Sequence, residues 1–204
     1  MQTQSVIARQ GLLPLLLAVL LAVLVMHFVG WRESLPCWAL AALVLLLFRD
    51  PERDVPSSPM SILSPADGRV MVVENTVDPY LNRPSLHVSI EMPPYGVFTT
   101  RSPVEGKVLE PPASAETDNR HGVWLQTDEG DDVVLVMGRG RFNSKPQCYV
   151  RFGERIGQGK RCGYVRLGGK VDVFLPENAV PAVSAGHYLH AGSDVLARLV
   201  RTGS

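Results

Sequence analysis

Hydrophobic and polar residues follow two different patterns along the chain. The first 48 residues are strongly apolar, and the later residues alternate in short runs. From Ile62 onward, runs such as GRVMVVE, LHVSI, DVVLVM and KVDVFL are separated by glycine and proline turns, without a helical period of useful length. Short alternating runs between turn signals are typical of strands. The pattern therefore predicts a mostly β domain behind an apolar N-terminal segment.

The apolar segment begins with a run from Gly11 to Val29, in which His27 is the only residue that could carry a charge. At about 1.5 Å of rise per residue, a helix of this length spans roughly the ~30 Å hydrocarbon core of a bilayer. A cleaved signal peptide is the alternative, but the following HFVGWRES offers no Ala-x-Ala-like cleavage site. We therefore expect a retained membrane anchor.

A second apolar run, Cys37 to Phe48, is short for a full span. Two interpretations stay open: a hairpin turning at GWRESLP, or a single anchor followed by a helix packed on the soluble domain. Arg9 precedes the first run, and Arg49 and Arg53 follow the second, with Arg32 between the runs. The positive-inside rule then predicts that both ends are cytoplasmic, which places the β domain on the cytoplasmic side of the inner membrane.

These changes in composition along the chain divide it into an anchor or hairpin at 1–48, a connector at 49–63 and a β domain at 64–204. Acidic and basic residues balance at 20 each, and no basic patch with interleaved aromatic residues occurs, so nucleic acid is not an expected partner. The three cysteines, Cys37, Cys148 and Cys162, form no Cys-x-x-Cys motif. We expect them to be reduced, without a disulfide framework or a metal site.

The β domain contains two weak internal repeats. SPADGRVMVVE (64–74) is similar to SPVEGKVLEPP (102–112), and RFGERIGQGKRCGYVRL (151–167) is similar to VSAGHYLHAGSDVLARL (183–199). Doubled hairpins with glycine turns resemble the barrel-sandwich folds of lipoyl and biotinyl domains. The expected fold is therefore a single, barrel-sandwich-like β domain.

Several blocks of the sequence resemble one enzyme family. FRDPERDVP (48–56), SPADGRV (64–70), SIEMPPYGVFTTRSPVEGKV (89–108) and the segment 161–199 containing GYVRLGGKVDVFLP resemble, in this order, motifs of the phosphatidylserine decarboxylase family. The similarity covers nearly the whole soluble part and is closest to the short, membrane-anchored members.

The resemblance implies a specific chemistry. Members of the family cleave themselves at a Gly-Ser bond, where the serine hydroxyl attacks the preceding carbonyl and forms an ester. Elimination then leaves a pyruvoyl group, which forms a Schiff base with the amine of phosphatidylserine and accepts electrons as CO₂ leaves. An aspartate and a histidine assist the self-cleavage.

The matching positions of this chain depart from that pattern at two places. Asp67 stands at the family's aspartate, and Arg101 matches the arginine of the Val-His-x-x-Arg-x-Pro motif, which makes it a candidate for substrate binding. Phe98, however, occupies the histidine position, and Gly169 follows Gly168 where the serine is expected. Glycine has neither a hydroxyl to attack a carbonyl nor a β-carbon to become part of a pyruvoyl group.

The resemblance and the two departures together predict a catalytically silent family member without a pyruvoyl cofactor or a metal. Its expected partners are a membrane phospholipid, with phosphatidylserine as a candidate, or a protein; a homo-oligomer is also compatible with the sequence. One alternative is an active decarboxylase with a non-standard cleavage site, and another is a biotinyl- or lipoyl-like carrier modified at Lys170. Asp67 has an alternative, structural interpretation as a turn residue. The double glycine also has one, as a point where two backbones approach closely. His87 is expected on the solvent side of its strand.

Overall fold

A computed structural model of the chain describes residues 9–51, 53–56, 60–110 and 121–200, which form two units. One unit comprises the N-terminal helices together with Tyr95–Val97. The other comprises the β strands, from Arg53 to Pro94 and from Phe98 onward.

The helical unit is an antiparallel hairpin of α1 (Arg9–Phe28) and α2 (Trp31–Leu47). The helices approach closely where α1 begins and α2 ends, because a β-carbon at Gly11 would lie 2.3 Å from Cβ of Phe48. The hairpin is the first of the two arrangements expected from the sequence. Among the described helices, only α1 is long and apolar enough to cross a membrane by length and composition, a test that a signal sequence also meets.

The link between the helices is shorter than GWRESLP, because α2 already begins at Trp31. Gly30 makes the turn with φ of 133°. Glu33 lies in the first turn of α2, where the helix dipole favours an acid, and Ser34 Oγ donates a hydrogen bond to the carbonyl of Trp31 at 2.8 Å. Pro36 lies further inside the helix. The sequence analysis expected the turn to span GWRESLP, which includes Pro36.

The regular secondary structure of the second unit is almost entirely β, which confirms the mostly β prediction. Their bounds are β1 Ser61–Leu63, β2 Gly68–Asp78, β3 Arg83–Glu91, β4 Thr99–Arg101, β5 Gly106–Leu109, β6 His121–Gln126, β7 Asp132–Gly140, β8 Gln147–Cys148, β9 Arg155–Ile156, β10 Arg161–Tyr164, β11 Gly169–Pro176, β12 Ala179–Pro181, β13 Tyr188–Leu189 and β14 Val195–Leu199.

The strands form one eight-stranded sheet and two three-stranded sheets. The large sheet has the order β13-β2-β3-β11-β7-β6-β5-β9, and the small sheets have the orders β1-β14-β12 and β4-β10-β8. All the pairs are antiparallel. The sheets do not close into a barrel among the described residues.

This order of strands has an internal two-fold correspondence. Strands β1 to β3 correspond, in order, to β4 to β6, and strands β11 to β14 correspond to β7 to β10. Under this correspondence one small sheet becomes the other, and the order of the large sheet is reproduced in reverse. Two hydrogen bonds repeat the relation: Leu63 N–H donates to the carbonyl of Pro103 at 2.9 Å, and Arg101 N–H donates to that of Pro65 at 2.8 Å. The sequence repeats at 64–74 and 102–112 begin in these two turns.

The central strand β11 separates two packing environments. Val171, Val173 and Leu175 are fully buried in the main core, while Asp172 and Phe174 face the opposite side of the sheet. Burying each such aliphatic side chain contributes about 1.5–3 kcal/mol relative to leaving it exposed. The core side thus fixes the register of β11, and with it the position of the glycine pair at the start of the strand.

The three cysteines are unpaired, as their spacing predicts. Cys162 is completely buried, and this burial raises the pKa of its thiol to about 12. The Cys162 thiol is therefore uncharged at physiological pH and unreactive as a nucleophile.

Candidate functional site

The glycine pair lies at a tight turn between β10 and β11. Leu167 and Gly168 adopt left-handed conformations, with φ of 56° and 76°, and Gly169 is the first residue of β11. Gly169 pairs with Gly140 at the end of β7, and its carbonyl accepts a hydrogen bond from Met92 N–H at 2.9 Å. The turn is therefore fixed by backbone contacts to both neighbouring strands.

Neither glycine has room for a side chain. A β-carbon at Gly168 would lie 2.4 Å from the carbonyl oxygen of Pro93 and 2.6 Å from that of Met92. A β-carbon at Gly169 would lie 2.7 Å from the carbonyl oxygen of Arg139. Close backbone approach is thus a sufficient physical reason for the pair, alongside its match to the cleavage position.

The pyruvoyl group implied by the family does not fit these residues. Its carbon atoms would come from a serine at position 169, where the chain has glycine and the backbone of β7 occupies the space of a side chain. The carbonyl of Gly168 still accepts a hydrogen bond from Arg141 N–H at 3.2 Å. A donor therefore remains on the carbonyl that the family chemistry attacks, whereas the attacking hydroxyl is missing.

Asp67 is buried, and both of its carboxylate oxygens are occupied. Oδ2 accepts a hydrogen bond from the guanidinium of Arg53 at 2.6 Å, and Oδ1 accepts one from Ala191 N–H at 2.7 Å. Asp67 therefore joins the connector to the loop between β13 and β14. This geometry supports the structural interpretation of the residue.

The strand register places Asp67 at the same end of the sheet as Gly169. Arg69 pairs with Glu91, and Glu91 pairs with Lys170, so β3 lies between the two sites. Because β3 lies between them, β2 and β11 are two inter-strand spacings apart, which is roughly 10 Å.

Phe98 is an apolar core residue at the position of the family's histidine. Its side chain is 3% exposed and meets the ring of Tyr164 edge-on, with 6.2 Å between centroids. Its carbonyl accepts a hydrogen bond from Val165 N–H at 2.9 Å. A phenyl ring cannot transfer protons, so no acid–base group occupies this position.

Tyr164, beside Phe98, has a buried hydroxyl that lacks a hydrogen-bond partner among the described residues. Burial raises the pKa of this phenol to about 12, so the hydroxyl stays protonated. Leaving a buried polar group without a partner costs on the order of 1–3 kcal/mol. Phe98, its aromatic neighbour, offers no polar atom that could accept a hydrogen bond from this hydroxyl.

Arg101 serves the packing between the two halves of the β unit. It is buried, and its guanidinium donates a hydrogen bond to the carbonyl of Gly159 at 3.1 Å. A β-carbon at Gly192 would lie 2.8 Å from its Cδ. By the two-fold correspondence Arg101 matches Leu63, a core residue, and it is not among the residues that line the cavity described next.

A cavity of about 570 Å³ opens beside Gly169, on the face of the sheet opposite the main core. Its charged groups are Arg139, Arg141, Lys170 and Glu91, which gives an excess of positive charge. The residues that line it are Met71, Val72, Ser89, Glu91, Met92, Arg139, Gly140, Arg141, Gly169 and Lys170. Sequence reasoning missed both arginines, for which the only signal is the short basic run GRGRF (138–142) at the end of β7.

A polar cluster continues from Lys170 along the same face of the sheet. The Asp172 carboxylate lies 3.1 Å from His87 Nε2 and 3.3 Å from Lys170 Nζ, and His87 Nδ1 lies 3.4 Å from a carboxylate oxygen of Glu74. The imidazole also stacks on the Phe174 ring. His87 lies on the face of the sheet opposite the main core, as expected. Its side chain is only 12% exposed, however, so the expectation that it faces solvent was wrong.

The pKa values of His87 and Asp172 shift in opposite directions. The hydrogen bond with Asp172 raises the pKa of His87 and outweighs the opposing effect of burial. Burial raises the pKa of Asp172, but the hydrogen bond with His87 and the charge of Lys170 act against it, and the net shift is downward. An ion pair of imidazolium and carboxylate is the state that both shifts favour.

Comparison with known proteins shows the family of this sequence. The sequence profile described as phosphatidylserine decarboxylase matches residues 40–197. The chain is 38% identical over 205 residues to a phosphatidylserine decarboxylase proenzyme of Nitrosomonas eutropha, covering 94% of both chains. It is also 38% identical over 206 residues to the protein of that name from Burkholderia ambifaria, covering 95% of this chain and 96% of the relative. The chain belongs to the phosphatidylserine decarboxylase family.

Placing a serine at position 169 is expected to destabilise the β unit without restoring cleavage. In Gly169→Ser the new β-carbon meets the Arg139 carbonyl, and overpacking of this kind costs about 1–3 kcal/mol. Thermal unfolding and intact mass of the full chain measure both effects. Gly157→Ser is the matched control, because a β-carbon there has ordinary contacts. Cleavage is expected only when Phe98→His is added, so efficient cleavage of the single variant would contradict the need for an imidazole.

The structural role of Asp67 predicts coupling with Arg53. Asp67→Asn and Arg53→Gln should each lower the free energy of unfolding by about 1–3 kcal/mol, because each leaves a partly buried polar group without its charged partner. The double variant should lose less than the sum. Asp54→Asn, at an exposed position of the same connector, serves as the control. Additive losses in denaturant titrations would show that the pair is not a unit.

The cluster at His87 predicts a pH-dependent stability. The raised pKa of His87 gives stabilisation that is complete below its unfolded value of 6.5 and is lost as pH rises through the folded value. The lowered pKa of Asp172 gives stabilisation above its unfolded value of 3.8 that is lost in acid. Melting temperature should therefore fall as pH rises from 6.5 through the raised pKa of His87. His87→Gln should remove this slope while His190→Gln, at an exposed histidine, preserves it; equal slopes in all three proteins would refute the assignment.

Proposed function

We propose that this protein is a catalytically silent member of the decarboxylase family, which binds a phospholipid head group in the cavity beside Gly169. The observation that carries the proposal is the geometry at that glycine. The position has no hydroxyl and no room for a side chain, yet a cavity with three cationic groups remains next to it. The proposal includes the absence of a pyruvoyl cofactor.

The charges of the cavity complement phosphatidylserine. Its head group carries a phosphate, a carboxylate and an ammonium group, so it requires two cationic partners and one anionic partner. Arg139, Arg141 and Lys170 supply cationic groups for the phosphate and the carboxylate, and Glu91 supplies a partner for the ammonium group. Met71 and Met92 offer apolar, adaptable surface for the glycerol end of the lipid.

The helical hairpin holds the β unit at the membrane that contains this ligand. Outward-facing leucines of the two helices, including Leu13, Leu16 and Leu46, are each at least 60% exposed, as expected for contact with lipid chains. The arginines that flank the apolar runs support a cytoplasmic location of the β unit, at the inner membrane.

Intact mass of the purified full chain tests the loss of self-cleavage. We expect a single species near 22.3 kDa, with the proenzyme from Nitrosomonas eutropha processed in parallel as a positive control. Two fragments, the smaller beginning near residue 169 with a blocked N-terminus, would overturn the proposal and call for a decarboxylation assay.

Titration of the detergent-solubilised chain with glycerophosphoserine tests the cavity. Arg141→Gln and Lys170→Gln should each weaken binding about tenfold, because each removes one charge-assisted contact. Arg151→Gln removes the same charge at an exposed position and should leave binding unchanged. Glu91→Gln should reduce the preference for glycerophosphoserine over glycerophosphate, which lacks the ammonium group. Equal affinities of the cavity variants and the control would place the ligand elsewhere.

A further inference from the structure

The turn that follows β7 presents an aromatic ring to solvent. Phe142 lies in a short 3₁₀ turn, Arg141–Asn143, and its side chain is 91% exposed. Both Phe142 and Asn143 have left-handed backbone conformations, with φ of 56° and 58°. This conformation is unfavourable for a bulky residue, and the ring recovers nothing from packing within the described chain.

The turn is held in this conformation by a set of hydrogen bonds. Gly140 N–H donates to the carbonyl of Ser144 at 3.0 Å, and the guanidinium of Arg139 donates to Asn143 Oδ1 at 2.5 Å. Arg141 N–H donates to the carbonyl of Gly168, which ties the turn to the edge of the cavity. The exposed ring is therefore fixed in place by the surrounding structure.

Three cationic residues flank Phe142 in the sequence. Arg139, Arg141 and Lys145 lie within three residues of Phe142, and none of them forms an ion pair with another described residue. An aromatic ring flanked by unpaired cations suits the interface of an anionic membrane, where the ring enters the acyl boundary and the cations meet phosphates.

We propose that the segment 139–145, termed the basic tip, docks the β unit on anionic phospholipid by inserting Phe142 into the interface. This inference deepens the proposed function and rests on it in one respect: Arg139 and Arg141 also line the cavity, so docking brings the cavity to the level of the head groups. The hairpin keeps the β unit near a bilayer, so a weak contact is sufficient, because a tethered site experiences a high effective concentration of its ligand.

Hydrogen exchange measured by mass spectrometry on the full chain in nanodiscs tests the basic tip. The discs contain either phosphatidylcholine alone or phosphatidylcholine with phosphatidylglycerol, an anionic lipid that lacks the serine group. We expect amide exchange in the peptide covering 139–146 to be several-fold slower in the anionic discs, and we expect added salt to reverse this protection.

Variants at position 142 test whether the aromatic ring itself is needed for the protection. Phe142→Ser should remove the protection, and Phe142→Trp should retain it because indole also favours the interface. Phe152→Ser, which alters another exposed aromatic residue of the same unit, should leave it unchanged. Equal melting temperatures would confirm that the variants fold.

Each outcome bears on a different part of the inference. Exchange in 139–146 that is the same in both kinds of disc overturns docking on anionic lipid. Equal protection in detergent, without lipid, also overturns it and would indicate a contact between copies of the chain. If lipid-dependent protection persists while glycerophosphoserine binding is absent, docking stands and the head-group proposal fails.

Discussion

The close approach of three strands at the glycine pair is the constraint on which the site depends. The carbonyls of Met92, Pro93 and Arg139 occupy the space that side chains at 168 and 169 would need. The same approach sets the edge of the cavity and, through the hydrogen bond from Arg141 to Gly168, the position of the basic tip. The absence of a side chain at position 169 thus lets the backbones of these strands approach closely at this edge of the sheet.

Much of the fold follows from local pattern in the sequence. Alternating apolar residues in β3 and β11 predict strands because one face of each is buried in a common core. The repeats at 64–74 and 102–112 lie in matching places of the two halves, so a weak sequence signal reflects a real structural correspondence. The replacements at positions 98 and 169 could be identified because a resemblance supplied the expected residues.

The remainder depends on contacts between residues far apart in the chain, which local patterns do not encode. The partner of Asp67 Oδ1 is a backbone amide 124 residues away, and His87 meets a carboxylate 85 residues away. Arg139 and Arg141 become cavity residues only because β7 pairs with β11 and ends beside Gly169. The early start of α2 is a further difference, since residues 31–36 of the expected turn belong to the helix.

The interleaving of the two halves has a consequence for chain continuity. Three of the four strands after Gly168 pair with strands that precede it: β11 lies between β3 and β7, β13 pairs with β2, and β14 pairs with β1. Assembly of the sheets therefore depends on pairing rather than on the covalent bond between residues 168 and 169. We expect two separately synthesised pieces divided there to reconstitute the β unit by complementation, because strand pairing between the pieces replaces the missing peptide bond.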